Sequence, residues 1–76
     1  MTNTNKARAR RALKALNAYR KLMGLSRTTG GPKLDESVID LVTDLRHLSN
    51  QKGLDFKAVE RSSESHFMAE VHGEED

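Results

Sequence analysis

The chain has 76 residues, of which 36% are hydrophobic and 32% are charged, and its formal net charge is +2. This length allows one domain, residues 1–76, whose small core supplies only about 3–5 kcal/mol of net stability. Cysteine is absent, which excludes disulfides and thiolate metal sites. Apolar runs are too short for a signal peptide or a membrane span, so we expect a cytoplasmic protein.

The first predicted helix runs from about Asn5 to Met23, with Thr4 or Asn5 as N-cap and Gly24 after its end. It is rich in Ala, Arg and Lys and has no proline, so its intrinsic helix propensity is high. The helical repeat places its apolar residues on one side: Ala9, Ala12, Leu13, Leu16, Tyr19 and Met23. Residues 25–34 contain a glycine pair and the only proline, and are predicted to form a loop.

Two further helices are predicted, with Asp35 and Asp55 as their N-caps and a leucine before each cap. The apolar face of the second comprises Val38, Leu41, Val42, Leu45 and Leu48. The weaker face of the third comprises Phe56, Val59, Ser63, Phe67 and Val71. Because only a short turn at Gly53 separates them, these helices should form an antiparallel hairpin. We therefore predict an all-α fold of three short helices, with the first packed on the hairpin and residues 1–4 and 73–76 frayed.

Charge is segregated along the chain. Residues 1–33 carry nine cations and no acid, whereas residues 34–76 carry four cations and eleven acids. Cations in the first turns of a helix oppose its dipole, which suggests that the first helix keeps them for binding. The predicted binding residues are Arg8, Arg10, Arg11, Lys14, Lys21 and Arg27.

Other interpretations of these cations stay open. They could form a solvated face that keeps a small protein soluble, or dock within the chain beside Asp40 and Asp44. They could also bind nucleic acid directly, through phosphates and without base readout. A homodimer is a further alternative, in which Tyr19, Leu22 and Met23 bury against a second copy.

Motifs for chemistry are weak. The segment from Leu45 to Val59 resembles a helix-turn-helix, but the would-be recognition helix has more acids than cations. Three histidines suggest a metal site, with Asp44–His47 and His66–Glu70 as the ligand pairs. A hydrogen bond along the helix and an exposed polar face account for these pairs better than a metal site does. No phosphate-binding glycine loop or activated nucleophile is present, so we expect no enzyme, no metal and no cofactor.

The second half resembles a known group of proteins. The residues concerned are Asp40-Leu-Val-Thr-Asp-Leu-Arg-His47, Gly53-Leu-Asp-Phe56, His66-Phe67 and Ala69-Glu70. Over about Val38 to Glu70 they are similar to short uncharacterised bacterial proteins associated with phages and plasmids. The resemblance implies a helical hairpin and a mobile-element setting, and it assigns no binding residue.

Small accessory proteins of that setting often act by stoichiometric binding, including inhibition of host-defence complexes. The sequence and the resemblance together predict a non-enzymatic binding protein that modulates a larger protein or nucleoprotein complex through its basic first helix. An inhibitor of a CRISPR-type complex is one form of this function. The alternative is a nucleic-acid-binding protein with little sequence preference.

Overall fold

The computed structural model describes residues 4–24 and 33–73, whose three elements are α-helices. They are α1 (Asn5–Leu22), α2 (Leu34–Lys52) and α3 (Phe56–Gly73). Helix α1 packs against α2, and α2 packs against α3. The predicted all-α fold, with the α2–α3 hairpin and the basic helix packed on it, is confirmed. Predictions for residues 1–3, 25–32 and 74–76 lie outside the described residues.

The ends of α1 follow the local sequence signals. Thr4 is the N-cap, with extended backbone, and its hydroxyl oxygen accepts a hydrogen bond of 3.1 Å from the amide of Ala7. At the other end Met23 is the C-cap, and Gly24 follows with a φ of 80°. A left-handed residue at this position favours glycine, so both predicted boundaries of α1 are confirmed.

The start of α2 differs from the prediction. The helix begins at Leu34 with Lys33 as N-cap, so Leu34 is not in the loop and Asp35 is not the cap. Instead, Asp35 lies in the first turn, where its carboxylate accepts a hydrogen bond of 2.8 Å from the amide of Glu36. Both the amide and the hydroxyl of Ser37 donate to the Lys33 carbonyl, each over 3.2 Å. These bonds set the earlier start, and the two carboxylates still favour the positive end of the helix dipole.

The turn between α2 and α3 follows the prediction more closely. Gly53 ends α2 with a left-handed backbone, φ 73° and ψ 25°. Asp55 caps α3, because its carboxylate accepts from the amide of Ala58 over 3.3 Å and its carbonyl accepts from Val59 over 3.1 Å. Helix α3 then continues through Gly73. Gly73, expected in the frayed C-terminal end, is therefore the last residue of the helix.

An ion pair and an aromatic contact fasten the hairpin. The Arg46 guanidinium of α2 lies 4.5 Å from the centre of the Phe56 ring, at the start of α3. The same guanidinium is 3.2 Å from a carboxylate oxygen of Glu60. A cation over an aromatic ring contributes about 0.5–1 kcal/mol at an exposed site. One arginine therefore holds the first turn of α3 against the last turns of α2.

Helix α1 meets the other two helices near its ends. Towards its C-terminus, Arg20 donates to the hydroxyl of Ser37 in α2, and both residues are buried. Towards its N-terminus, Arg8 forms an ion pair of 3.5 Å with Glu70 of α3. The Asn5 amide adds a hydrogen bond of 3.2 Å to the carbonyl of Glu70. Each helix therefore contacts both of the others, so the three form a triangle of contacts.

Packing within this arrangement is sparse. The radius of gyration is 14.1 Å, against about 11 Å for a compact domain of this length. The accessible surface is 6277 Å², against about 4,700 Å² for a compact protein of this mass. Leu16 is the one large hydrophobic residue of the described ranges that is buried, with 5% of its surface exposed. The single chain thus encloses very little apolar core.

Candidate basic binding surface

The outer side of α1 carries a row of exposed cations. Three of them belong to the predicted binding residues and are here termed the basic surface: Arg10, Lys14 and Lys21. Their spacing of four and seven residues keeps them on one side of the helix, over about 16 Å at 1.5 Å per residue. All three are exposed, and none forms an ion pair with a carboxylate in residues 4–24 or 33–73. The row therefore offers three charged donors to an external group.

A shallow depression lies along the second half of the row. Lys14, Asn17, Ala18 and Lys21 border it. Lysine ammonium groups act as compact, rotatable point charges, whereas Arg10 adds a planar fork that matches two oxygens at once. Carboxylates and phosphates are the groups that such donors bind most strongly. The geometry suits an extended anionic surface better than a single enclosed ion.

The other predicted binding residues are placed differently. Arg8 is engaged within the chain, because its guanidinium pairs with Glu70 and also donates to the side chain of Asn5 over 2.8 Å. Arg11 is exposed but lies about 100° around the helix from Arg10. Arg27 lies outside the described residues. The structure thus brings three of the six predicted residues into one row.

Docking of the α1 cations beside Asp40 and Asp44 was the intramolecular alternative. In the structure Asp44 instead accepts a hydrogen bond of 2.6 Å from the hydroxyl of Tyr19. Asp40 is exposed and forms no ion pair with a cation of the described ranges. These carboxylates of α2 therefore leave the basic surface unneutralised.

The Tyr19–Asp44 contact shifts the titration of the phenol. Asp44 accepts a hydrogen bond from the phenol and thereby raises the pKa of Tyr19 from 10.0 to about 12. Partial removal from water and the negative charges of Asp44 and Asp40 act in the same direction. The hydroxyl is thus a permanent donor at neutral pH. The helical repeat placed Tyr19 on the apolar face of α1, and the bond to Asp44 was not predicted. The only signal for it in the sequence was the acidic character of the second helix.

Arg20 is another residue whose role the sequence did not reveal. It is only 6% exposed, and one guanidinium nitrogen donates to the hydroxyl of Ser37. Its position four residues after Leu16 places it on the packed side of α1. That spacing was the available signal that Arg20 belongs to the helix contact rather than to the basic surface.

The histidine pairs do not converge. Among residues 4–24 and 33–73, no group of three or more histidines and carboxylates lies close enough to hold a metal ion. Asp44, proposed as a partner of His47, accepts the hydrogen bond from Tyr19. Glu70, proposed as a partner of His66, pairs with Arg8. Both carboxylates therefore take part in contacts between helices.

The turn at residues 53–55 joins two helices, as a helix-turn-helix requires. Helix α3 exposes Lys57 and Arg61 together with Glu60 and Glu64. This mixture of signs gives α3 no basic surface that would favour entry into a DNA groove. The charges of α3 therefore give the same argument against a helix-turn-helix function as the sequence did.

Comparison with known proteins returned no relative: no family, no curated protein and no solved structure matches this chain. The resemblance to phage and plasmid proteins therefore stays a prediction. None of the three helices is both long enough and apolar enough to cross a bilayer.

Proposed function

We propose that this chain is a non-enzymatic binding protein that modulates a larger macromolecule through its basic surface. One observation carries the proposal. Arg10, Lys14 and Lys21 form an exposed row that no carboxylate of the described residues neutralises. Like charges along one side of a helix repel each other and are normally interspersed with acids on solvated faces. Binding of an anionic partner would offset that repulsion.

The partner is an acidic or phosphate-rich surface of a larger protein or nucleoprotein complex. Lysine side chains, which carry point charges on flexible stems, favour such extended surfaces. Their charge attracts an approaching anionic partner over about 8–10 Å at moderate salt. The resemblance of residues 38–70 supports a phage or mobile-element setting. Inhibition of a CRISPR-type defence complex is the form of modulation that this setting favours.

Charge reversal with a matched control tests the proposal. In the test variant, Arg10, Lys14 and Lys21 are all changed to Glu. In the control, three exposed cations of the acidic half, Lys52, Lys57 and Arg61, are changed to Glu. Both variants change the net charge equally, so only the location differs.

Capture from bacterial lysate at low salt is then compared for the three proteins. We expect the wild type and the control to recover the same stoichiometric partner, and the test variant to lose at least about tenfold in affinity, from removal of charged contacts worth more than 1.4 kcal/mol. Equal capture by all three, or no stoichiometric partner at any salt, contradicts the proposal.

Direct nucleic-acid binding is the second candidate, favoured by the depression between Lys14 and Lys21. Three phosphate contacts predict a slope of about −2.7 for log affinity against log salt on duplex DNA. Fluorescence anisotropy with labelled duplex and single strands measures this slope. Absence of binding at about 50 mM salt removes this candidate and leaves the protein partner.

A further inference from the structure

We propose that two copies of this chain associate through an apolar groove between α1 and α2. The groove has a volume of about 280 Å³. Its apolar walls include Ala12, Leu13 and Leu16 of α1 and Val38, Leu41 and Leu45 of α2. Val38 and Leu45 remain 44% and 42% exposed, so the helix contact does not close the groove. This proposal does not rest on the function of the basic surface.

The side of α3 that contacts the other helices also carries exposed apolar residues. Glu60 contacts α2 through Arg46, and Glu70 contacts α1, so the side of α3 that carries both is turned toward the other helices. Phe67 lies seven residues after Glu60, on that same side, and is 60% exposed. Val71 follows four residues later and is 42% exposed. Helix α3 thus presents exposed apolar surface in addition to that of the groove.

A single chain buries little apolar surface against the entropy that folding costs. Ordering each residue costs about 1–2 kcal/mol of backbone entropy, and apolar burial returns about 25 cal/mol per Å². Leu16 is the one large hydrophobic residue buried in the described ranges. Small domains commonly solve this problem by oligomerisation. A second copy of the same chain is a partner that is always present wherever the protein is made.

The exposed area matches a dimer of this kind. The chain's 6277 Å² exceeds the value of a compact protein of its mass by about 1,600 Å². Obligate dimers bury about 2,000–5,000 Å² in total, or about 1,000–2,500 Å² per subunit. The excess is therefore of the size that one subunit of such a dimer buries.

Charge favours a copy of the same chain. The groove walls carry no charged residue, so the occupant must be apolar where it enters. Along the chain, residues 1–33 carry nine cations and no acid, whereas residues 34–76 carry four cations and eleven acids, a net charge of −7. Across such a contact, α1 of one copy, which has no acid, can lie beside α2 of the other, which has four, while the outer side of α1 stays uncovered.

Sedimentation equilibrium with matched variants of α2 tests the proposal. Leu45→Glu puts a charge in the groove, whereas Ile39→Glu puts one elsewhere on α2, at a residue that is 60% exposed and does not line the groove. We expect wild type and Ile39→Glu to have twice the 8.5 kDa mass of one chain. Leu45→Glu should raise the dimer dissociation constant by at least about 100-fold, because a buried charge weakens association.

Thermal melting of the wild type provides a second readout that does not depend on a variant folding. A dimer melts at a temperature that rises with protein concentration between about 1 and 100 µM, whereas a monomer does not. A single-chain mass with full helicity and a concentration-independent Tm would overturn the proposal. Equal dissociation by Leu45→Glu and Ile39→Glu would overturn the assignment of the groove as the interface.

Discussion

At the scale of single residues, Tyr19 shows how one polar group fixes the contact of two helices. Its hydroxyl donates to Asp44 over 2.6 Å, which is within the range of a hydrogen bond to a charged oxygen. Because α1 contributes the donor and α2 the acceptor, the bond joins the basic part of the chain to the acidic part without using a cation. The cations of the basic surface, Arg10, Lys14 and Lys21, remain directed outward.

The titration of Tyr19 gives the first prediction. Tyr19 is the only tyrosine and there is no tryptophan, so tyrosinate absorbance reports this residue alone. We expect a pKa of about 12 in the native protein, and a fall toward 10.0 in Asp44→Asn. Asp40→Asn is the control, and should lower the pKa less because Asp40 acts only through its charge. An unchanged pKa in Asp44→Asn contradicts the hydrogen bond.

The sign of the linked stability change follows from the same shift. The pKa of Tyr19 is higher in the folded chain than the 10.0 of the unfolded chain, so folding favours the protonated phenol. This contribution is complete below about pH 10 and is lost as the pH rises toward 12. The free energies of unfolding of the wild type and Tyr19→Phe should therefore differ below pH 10 and converge toward pH 12. Denaturant unfolding at several pH values measures this difference.

At the scale of helices, the two aspartates predicted as N-caps provide a matched pair. Asp55 caps α3, whereas Asp35 lies inside the first turn of α2. Asp55→Ala should lower the free energy of unfolding by about 0.5–2 kcal/mol, because the amide of Ala58 loses its acceptor. Asp35→Ala should cost less, about 0.3–1 kcal/mol, since it removes mainly a favourable charge near the helix dipole. Urea unfolding compares them, and equal losses would contradict the different roles.

Glycines at the ends of α2 and α3 predict opposite effects of one substitution. Gly53 has a φ of 73°, and a methyl group added there meets no atom within 4 Å. Gly53→Ala should therefore destabilise the protein by about 1–2 kcal/mol through backbone conformation alone. Gly73 is helical and has equal space, so Gly73→Ala should be neutral or stabilise by up to about 1 kcal/mol. Thermal unfolding by circular dichroism distinguishes them, and the same sign for both would contradict this assignment.

Helix boundaries show which part of the fold the sequence determines locally. Thr4, Asp55 and Gly53 act through bonds to residues within a few positions, so their roles were predictable from the sequence. The start of α2 was not, because Ser37 lies in the contact with Arg20 of α1 as well as bonding back to Lys33. The contact between Ser37 and Arg20 therefore outweighs the local tendency of Asp35 to cap the helix.

At the scale of the whole molecule, periodicity predicted the basic surface, and long-range contacts altered it. Arg10, Lys14 and Lys21 lie on the outer side of α1 because the helical repeat alone places them there. Arg8 could not be assigned in the same way, since its partner Glu70 is 62 residues away. The open packing could not be predicted either. The apolar faces of α2 and α3 have the same sequence pattern whether they are buried within one chain or between two chains.

The contact between Arg8 and Glu70 closes the triangle of helices, and its removal gives the last prediction. Both side chains are partly exposed, at 33% and 39%, so Glu70→Gln should cost only about 0–1 kcal/mol of global stability. Locally, amide hydrogen exchange should quicken in the last turn of α3 and the first turn of α1, because local opening depends on few contacts there.

Glu64→Gln is the control for this change, since Glu64 is exposed on α3 and has no ion pair among the described residues. It should leave exchange in both turns unchanged. Added salt should speed exchange in the wild type and have little effect in Glu70→Gln, because screening weakens the same ion pair that the substitution removes. Identical exchange in the two variants would mean that the Asn5 hydrogen bond to the Glu70 carbonyl closes the triangle without help from charge.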